Sequence, residues 1–276
     1  MSDENTSPTY ESPFDQLLTL EEPEDDWASV DYRALGLTSE HVDELAQIAL
    51  EIDAAATDPE YYASVHAWRA LAQFGDEAAI APLDDLLRRP KTEDDDWIIE
   101  EVPEVLARLG PPATATSLAL LADDTVSSFV RVSMTTALRS LARNHPSERD
   151  TVVAGLVAEL QKSSNDEEFV GFVVSSLVEL GAVEAAPAIQ RAYEEDRVAE
   201  WIPGDWEDVQ VGLGILEKRL TPKPRYVTPG LPPLPGWAPR AEPNPSPAGG
   251  GPAKNKAKAK AKKKQEAKSR KKNRRK

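Results

Sequence analysis

The chain has 276 residues, no cysteine and a formal net charge of −16, from 32 basic and 48 acidic side chains. Without cysteine it has no disulfide, no thiol nucleophile and no Cys-ligated metal, which is typical of a protein from a reducing compartment. No segment approaches the roughly 18 consecutive apolar residues of a membrane helix, and the acidic N-terminus lacks the pattern of a signal peptide. We therefore expect a soluble, cytoplasmic protein with no membrane contact.

The charge is distributed unevenly along the chain. Residues 253–276 hold 14 basic residues and one acid, so the rest of the chain carries 18 basic and 47 acidic side chains, a net charge of −29. A body with that charge repels the phosphates of nucleic acids within the Debye length, roughly 8 Å in physiological salt. Any contact with a nucleic acid must therefore come from the tail.

Composition also marks the domain boundaries. Residues 1–27 are rich in Ser, Thr, Pro, Asp and Glu and contain too little apolar surface to offset the entropy of ordering, so we expect a disordered acidic N-terminus. Residues 221–252 contain 11 of the 23 prolines, which predicts an extended Pro-rich linker. The tail, residues 253–276, is predicted to be disordered and basic. The segment between, 28–220, is predicted to form one folded domain.

The folded segment contains an internal repeat. Four apolar segments superimpose without a gap, and the leucine at the fifth place of each recurs at spacings of 35, 35 and 36 residues, at Leu71, Leu106, Leu141 and Leu177. A second apolar segment follows each of them, and in both segments apolar residues recur three and four apart, which is the helical period. One helix pair cannot bury its apolar face alone, whereas stacked pairs form a continuous core. The sequence therefore predicts an all-α fold, an α-solenoid of about four helix pairs, with partial capping helices at 39–50 and 206–220.

The repeats resemble the HEAT-like repeat of the phycobilisome-lyase type, and the third block shows this best, in Asp124, Val130-Arg131, Thr136-Ala137-Leu138 and Leu141. The segments 93–103, 183–187 and 204–211 are similar to a family of bacterial HEAT-like proteins of uncharacterised function. The resemblance covers roughly residues 61–216. The phycobilisome-lyase name implies one alternative function, an enzyme or enzyme accessory that attaches or isomerises bilins.

Members of that bacterial family often end in a zinc-binding SEC-C motif. Here Pro245-Ser-Pro-Ala-Gly-Gly-Gly251 follows Asn244 in a comparable place, with Ser246 and Ala248 where cysteines would stand. Neither residue replaces a thiolate ligand of zinc. Residues 244–251 are therefore either a relic of the motif that has lost its metal or a Pro/Gly linker that matches by composition, and no metal is predicted.

Three acidic clusters contain or adjoin a tryptophan, and the first is Glu24-Asp-Asp-Trp27. Carboxylates beside an aromatic ring form a site for a basic peptide, but carboxylates at a helix start also cap the helix, as we expect of Asp96 and Asp205. Both interpretations stay open. The candidate partner-binding residues of the other two clusters are Asp94, Asp95, Asp96, Trp97, Glu100, Glu101, Asp205, Trp206, Glu207 and Asp208.

The basic tail has dense charge but no aromatic side chain to stack on bases, so it offers counterion release on a polyanion rather than sequence readout. Two other interpretations are an internal counter-charge for the acidic body and a solubilising end. The candidate polyanion-binding residues are Lys262, Lys263, Lys264, Lys268, Arg270, Lys271, Lys272, Arg274, Arg275 and Lys276.

The sequence contains no Gly-rich phosphate loop, no nucleophile elbow and no Cys/His pair. We therefore predict no catalytic residue and no cofactor. The function that we expect is a non-enzymatic scaffold or adaptor that binds a protein partner on the solenoid surface, with a tail that contacts RNA, ribosomes or DNA without sequence preference. The alternative is the bilin-lyase-like enzyme or enzyme accessory.

Overall fold

The computed structural model describes residues 10–51, 58–90 and 92–224, and within these ranges the regular structure is entirely helical. Short 3-10 turns precede several of the helices. The ten α-helices of the described ranges are α1 (Val42–Leu50), α2 (Asp58–Phe74), α3 (Ile80–Leu87), α4 (Asp96–Leu109), α5 (Thr114–Ala122), α6 (Ser128–Asn144), α7 (Arg149–Leu160), α8 (Glu167–Glu179), α9 (Ala186–Glu194) and α10 (Trp206–Gly212).

The helices form two layers. The even-numbered helices pack against one another in chain order, from α2 through α4, α6 and α8 to α10, and the odd-numbered helices do the same from α1 to α9. Neighbouring helices of opposite layers also pack together, as in α1 on α2 and α5 on α6. Each layer thereby buries the apolar stripe of the other, which is the architecture of an α-solenoid. The predicted all-α fold class is confirmed.

The repeat register is visible in the core. The four equivalent leucines lie on α2, α4, α6 and α8, and each of them is 0% exposed. Polar contacts follow the same period: the Tyr61 hydroxyl donates hydrogen bonds to Asp95, 34 residues away, and Arg88 pairs with Asp123, 35 residues away. Successive repeats are therefore joined by equivalent apolar contacts and also by polar ones.

The folded part begins earlier than the sequence predicts. Residues 10–27 fall in the predicted disordered N-terminus, but Phe14–Thr19 form a 3-10 helix that packs on α2, and Leu17 is 0% exposed. The prediction was wrong for these residues because it rested on the average composition of the segment, in which acidic residues outweigh a short apolar run. The burial of that run depends on contact with α2, which composition does not reveal. Residues 1–9 lie outside the described ranges.

Residues 20–32, which we call the strap, lie across α2 and are held through their backbone and through side chains such as Tyr32, which is 1% exposed and whose hydroxyl is 2.8 Å from Nδ1 of His66. The carbonyl oxygen of Glu21 is 2.9 Å from Nε2 of His66, and that of Glu24 accepts a hydrogen bond of 2.8 Å from Arg69. Gln73 contacts the backbone of both Val30 and Tyr32. His66, Arg69 and Gln73 are spaced i, i+3, i+7 and so share one face of α2. This face binds a segment that is neither helix nor strand and that turns at Trp27 and Ala28.

One side chain of the strap, Trp27, is anchored between two repeats. Its ring lies under the guanidinium groups of Arg69 on α2 and Arg108 on α4, at 4.9 and 4.3 Å from the ring centroid. Arg69 also forms a buried ion pair with Glu101, which accepts a further hydrogen bond from the Trp68 indole. The half-buried Trp27 is therefore held by cation–π contacts in addition to its packing against the apolar core.

The closing helix is shorter than the predicted segment 206–220. Helix α10 ends at Gly212, and residues 213–221 turn back toward its first turn. The carboxylate of Glu207 accepts hydrogen bonds from the backbone amides of Leu220 and Thr221, both at 3.0 Å. The apolar pattern of the segment predicted a continuous helix because the pattern indicates which residues are buried. It does not indicate that the chain reverses direction after Gly212.

Candidate partner-binding site

An open groove of about 540 Å³ lies at the last helices of the stack, and it includes part of the third acidic cluster. Four carboxylates and two aromatic rings dominate its lining. The lining residues are Gln190, Tyr193, Glu194, Glu200, Asp205, Trp206, Glu207, Gln210 and Thr221.

Asp205 has the capping role that the sequence predicted for it. It is the N-cap of α10 and accepts a hydrogen bond of 2.8 Å from the Asp208 amide. Its carboxylate also receives two hydrogen bonds from Arg219, of 2.6 and 2.8 Å. The pKa of Asp205 is therefore lowered, first because Arg219 donates to the charged form. Asp205 is a structural group at the edge of the groove.

Arg219 holds the reversal of the chain in place. Its guanidinium pairs with three carboxylates, those of Asp205, Glu207 and Asp208, at 2.6, 3.2 and 2.6 Å. These contacts raise the pKa of Arg219, and the hydrogen bonds from Thr221 are the first cause that lowers the pKa of Glu207. Lys223 adds a second cation at 3.7 Å from Asp208, so two cations among three anions leave a local charge of −1, which is available to a ligand cation.

Two further carboxylates of the groove have no ion pair among the described residues. Glu194 accepts a hydrogen bond from Gln190. The pKa of Glu200 is raised, first by burial and then by the negative charges of Asp205 and Asp196. A cation bound in the groove would lower it again.

The aromatic wall is fixed by one backbone contact. The rings of Tyr193 and Trp206 are tilted by 47° with centroids 5.9 Å apart, and the Tyr193 hydroxyl donates a hydrogen bond of 2.6 Å to the carbonyl oxygen of Gly204. Gly204 has a φ of +93°, and a Cβ on it would lie 2.5 Å from the Asp208 side chain. Glycine is needed there. Carboxylates beside such a wall can bind an ammonium or guanidinium group.

The cluster at the start of α4 divides into internal and exposed residues. The N-cap of α4 is Asp95, one residue before the predicted Asp96, and it accepts hydrogen bonds from the amides of Trp97 and Ile98 as well as from Tyr61. Glu101 forms an ion pair with Arg69. These two carboxylates stabilise the stack. Three residues of the cluster remain exposed beside the half-buried Trp97, namely Asp94, Asp96 and Glu100.

The two predicted clusters lie at the starts of α4 and α10, which are not neighbours in their layer. Helix α4 packs on α6, α6 on α8, and α8 on α10, so two helices of the layer lie between the clusters. The candidate polyanion-binding residues of the tail, together with residues 244–251, lie outside the described residues.

Sequence analysis missed Tyr193, Glu194, Glu200 and Arg219. The first two lie on α9 and the other two lie in loops, so no local spacing connects them with the acidic cluster at 205–208. The only signal was the position of Arg219, which lies beside Lys218 just before the Pro-rich segment. Their association depends on the packing of α9 against α10 and on the reversal after Gly212.

No group of three or more His, Asp or Glu side chains in the described part of the chain is placed to hold a metal ion. Within the same ranges, no helix is long and apolar enough to cross a bilayer.

Residues 23–220 match the model of a family described as a protein of unknown function, DUF1186. The chain belongs to this family. The DUF1186 match includes Trp27 of the strap, the ten helices described above and Arg219, while the tail lies outside it. No curated protein and no solved structure matches the chain in the comparisons.

Proposed function

We propose that the chain is a cytoplasmic, non-enzymatic HEAT-like scaffold that binds a protein partner through a basic segment of that partner. The observation that carries the proposal is the groove, in which four carboxylates lie beside Tyr193 and Trp206. A lysine or arginine side chain fits both features, since it pairs with carboxylates and packs on an aromatic face. The basic tail would add sequence-independent contact with RNA, ribosomes or DNA.

The charge of the groove supports a basic partner. The three carboxylates around Arg219, together with Arg219 and Lys223, have a net charge of −1, and Glu194 and Glu200 add two more negative charges with no cation paired to them in the described ranges. Binding a cationic segment would offset the mutual repulsion of these groups. The general charge of the acidic body, −29 without the tail, would speed the approach of such a partner.

The contacts in the groove determine which carboxylates can be substituted without disturbing the fold. Changing Asp205 or Glu207 would remove a helix cap or release residues 220–221, and a loss of binding would then be ambiguous. Glu194 and Glu200 are exposed and lack those structural contacts. The double variant Glu194→Lys, Glu200→Lys therefore tests the surface while it leaves the Arg219 cluster intact.

The test uses a fluorescently labelled peptide of alternating Lys, Arg and Ala at physiological salt, with fluorescence anisotropy as the readout. We expect the double variant to weaken binding by roughly tenfold, because two attractive charges become repulsive. The matched control is Asp85→Lys, Asp150→Lys, which makes the same charge change at exposed positions on α3 and α7, outside the groove. Equal weakening in both variants would show that only net charge matters and would refute the groove as the site.

The exposed part of the α4 cluster is a second candidate contact. Asp94, Asp96 and Glu100 are open to solvent, whereas reversing Asp95 or Glu101 would break the Tyr61 and Arg69 contacts and destabilise the stack. Charge reversal of the three exposed residues, measured with the same peptide, shows whether a long basic segment also reaches α4.

A further inference from the structure

Helix α6 carries a stripe whose charge is opposite to that of the body. Phe129, Val132, Thr136, Arg139 and Arg143 are spaced i, i+3, i+7, i+10 and i+14, so they lie along one face, which we call the α6 stripe. Helix α6 contains no Asp or Glu. Phe129 is 59% exposed and the Arg143 side chain is 53% exposed. The stripe is thus an open surface with an apolar end and a basic end.

The repeat register relates this stripe to the face that binds the strap. Leu71 and Leu141 are equivalent and lie 70 residues apart, and the same offset relates His66 to Thr136, Arg69 to Arg139 and Gln73 to Arg143. In α2 these positions hold the carbonyl oxygens of the strap. In α6 the equivalent positions face the same side of the layer and are partly or fully exposed. The α6 stripe therefore continues, two repeats later, a surface that already binds a non-helical segment of the chain.

The two arginines of the stripe are only partly neutralised by their ion pairs. Both pair with a single carboxylate, that of Glu179 on α8, at 2.7 Å from Arg139 and 3.7 Å from Arg143. One anion between two guanidinium groups leaves a local charge of +1. The strap, which lies on the equivalent face, has exposed carboxylates on both sides of its anchored Trp27. This layer therefore already holds an acidic segment through its backbone and an aromatic ring, and the charge on α6 that Glu179 leaves unneutralised adds a contact for carboxylates.

We propose that the α6 stripe binds an extended acidic segment of a partner protein that carries an aromatic side chain. Carboxylates of the segment pair with Arg139 and Arg143, and its aromatic ring packs on Phe129 and Val132. The strap is an acidic segment of the chain itself whose aromatic ring packs on this layer, at α2 and α4, the two helices of the layer before α6. This surface is separate from the acidic groove and has the opposite charge, so the two proposals fail independently.

The probe is a labelled synthetic peptide with the sequence of residues 18–32, Leu-Thr-Leu-Glu-Glu-Pro-Glu-Asp-Asp-Trp-Ala-Ser-Val-Asp-Tyr. In the full-length protein the chain's own strap fills the face of α2, so the added peptide is expected to bind α6. Fluorescence anisotropy is measured at physiological salt, where screening over roughly 8 Å suppresses the repulsion from the distant acidic surface. A peptide with every Asp and Glu changed to the amide should bind more weakly.

We expect Arg143→Glu to weaken peptide binding by roughly tenfold, since an exposed attractive charge becomes repulsive. The matched control is Arg191→Glu, an exposed arginine on α9 in the other layer. Thermal unfolding of both variants checks that the fold is retained. The proposal is overturned if full-length protein does not bind the peptide, or if Arg143→Glu and Arg191→Glu have the same effect. It is also overturned if binding is lost on Arg108→Glu and not on Arg143→Glu, because the peptide would then be replacing the strap.

Discussion

Changing Leu141 to Ala tests the repeat register at a fully buried position. Leu141 is 0% exposed on α6, which packs against α4 and α8 in its own layer and against α5 and α7 in the other. Because four helices surround the site, the cavity left by the truncation has little room to collapse. Truncation of a buried leucine costs about 2–5 kcal/mol, and an enclosed cavity lies in the upper part of that range. We therefore expect Leu141→Ala to lower the free energy of unfolding by about 3–5 kcal/mol.

Urea unfolding followed by circular dichroism gives this quantity, provided that the slope with urea is unchanged between variants. In a domain of this size each kcal/mol lowers the melting temperature by about 2–4 °C, so a drop of at least about 6 °C should accompany the change. The matched control is Val183→Ala, which truncates a side chain that is 49% exposed, and it should stay within about 0.5 kcal/mol of the parent. A cost below about 1 kcal/mol at Leu141 would refute the register.

Three further predictions follow from the strap and the tail. Trp27→Ala removes two cation–π contacts and the packing of a half-buried ring, so it should lower the free energy of unfolding by about 1–3 kcal/mol. The control is Trp201→Ala, at a residue that is 37% exposed, and it should lower the free energy of unfolding by less. Burial lowers the pKa of His66, so the native state binds the proton less readily than the unfolded chain. The free energy of unfolding should therefore fall as pH drops below about 6.5. Urea titrations at pH 5 to 7 should show a weaker pH dependence in His66→Gln. If about half of the 14 basic residues of the tail contact single-stranded RNA, the logarithm of affinity should fall with log salt at a slope of roughly −5, and truncation after Pro252 should abolish binding. Poor RNA binding by the full-length protein would instead favour the internal counter-charge.

The sequence predicted the helices and their register because both depend on local spacing. The apolar period and the recurrence of leucine about every 35 residues can be read from the sequence without knowing which helices pack together. Helix caps were predicted to within one residue, at Asp95 and Asp205, because the capping hydrogen bonds reach only two or three residues along the chain. Composition was less reliable: it assigned residues 10–27 to a disordered segment although Leu17 is buried.

Only the tertiary structure determined which charges are available to a partner. Asp94 and Glu101 look alike in the sequence, yet one is exposed and the other is buried in an ion pair with Arg69, because α2 packs on α4. In the same way, Arg219 meets Asp205 only because the chain reverses after Gly212. Local pattern records which residues face the core. Whether a polar residue on the other face meets a partner from the same chain depends on contacts between residues far apart in sequence, which no local spacing specifies.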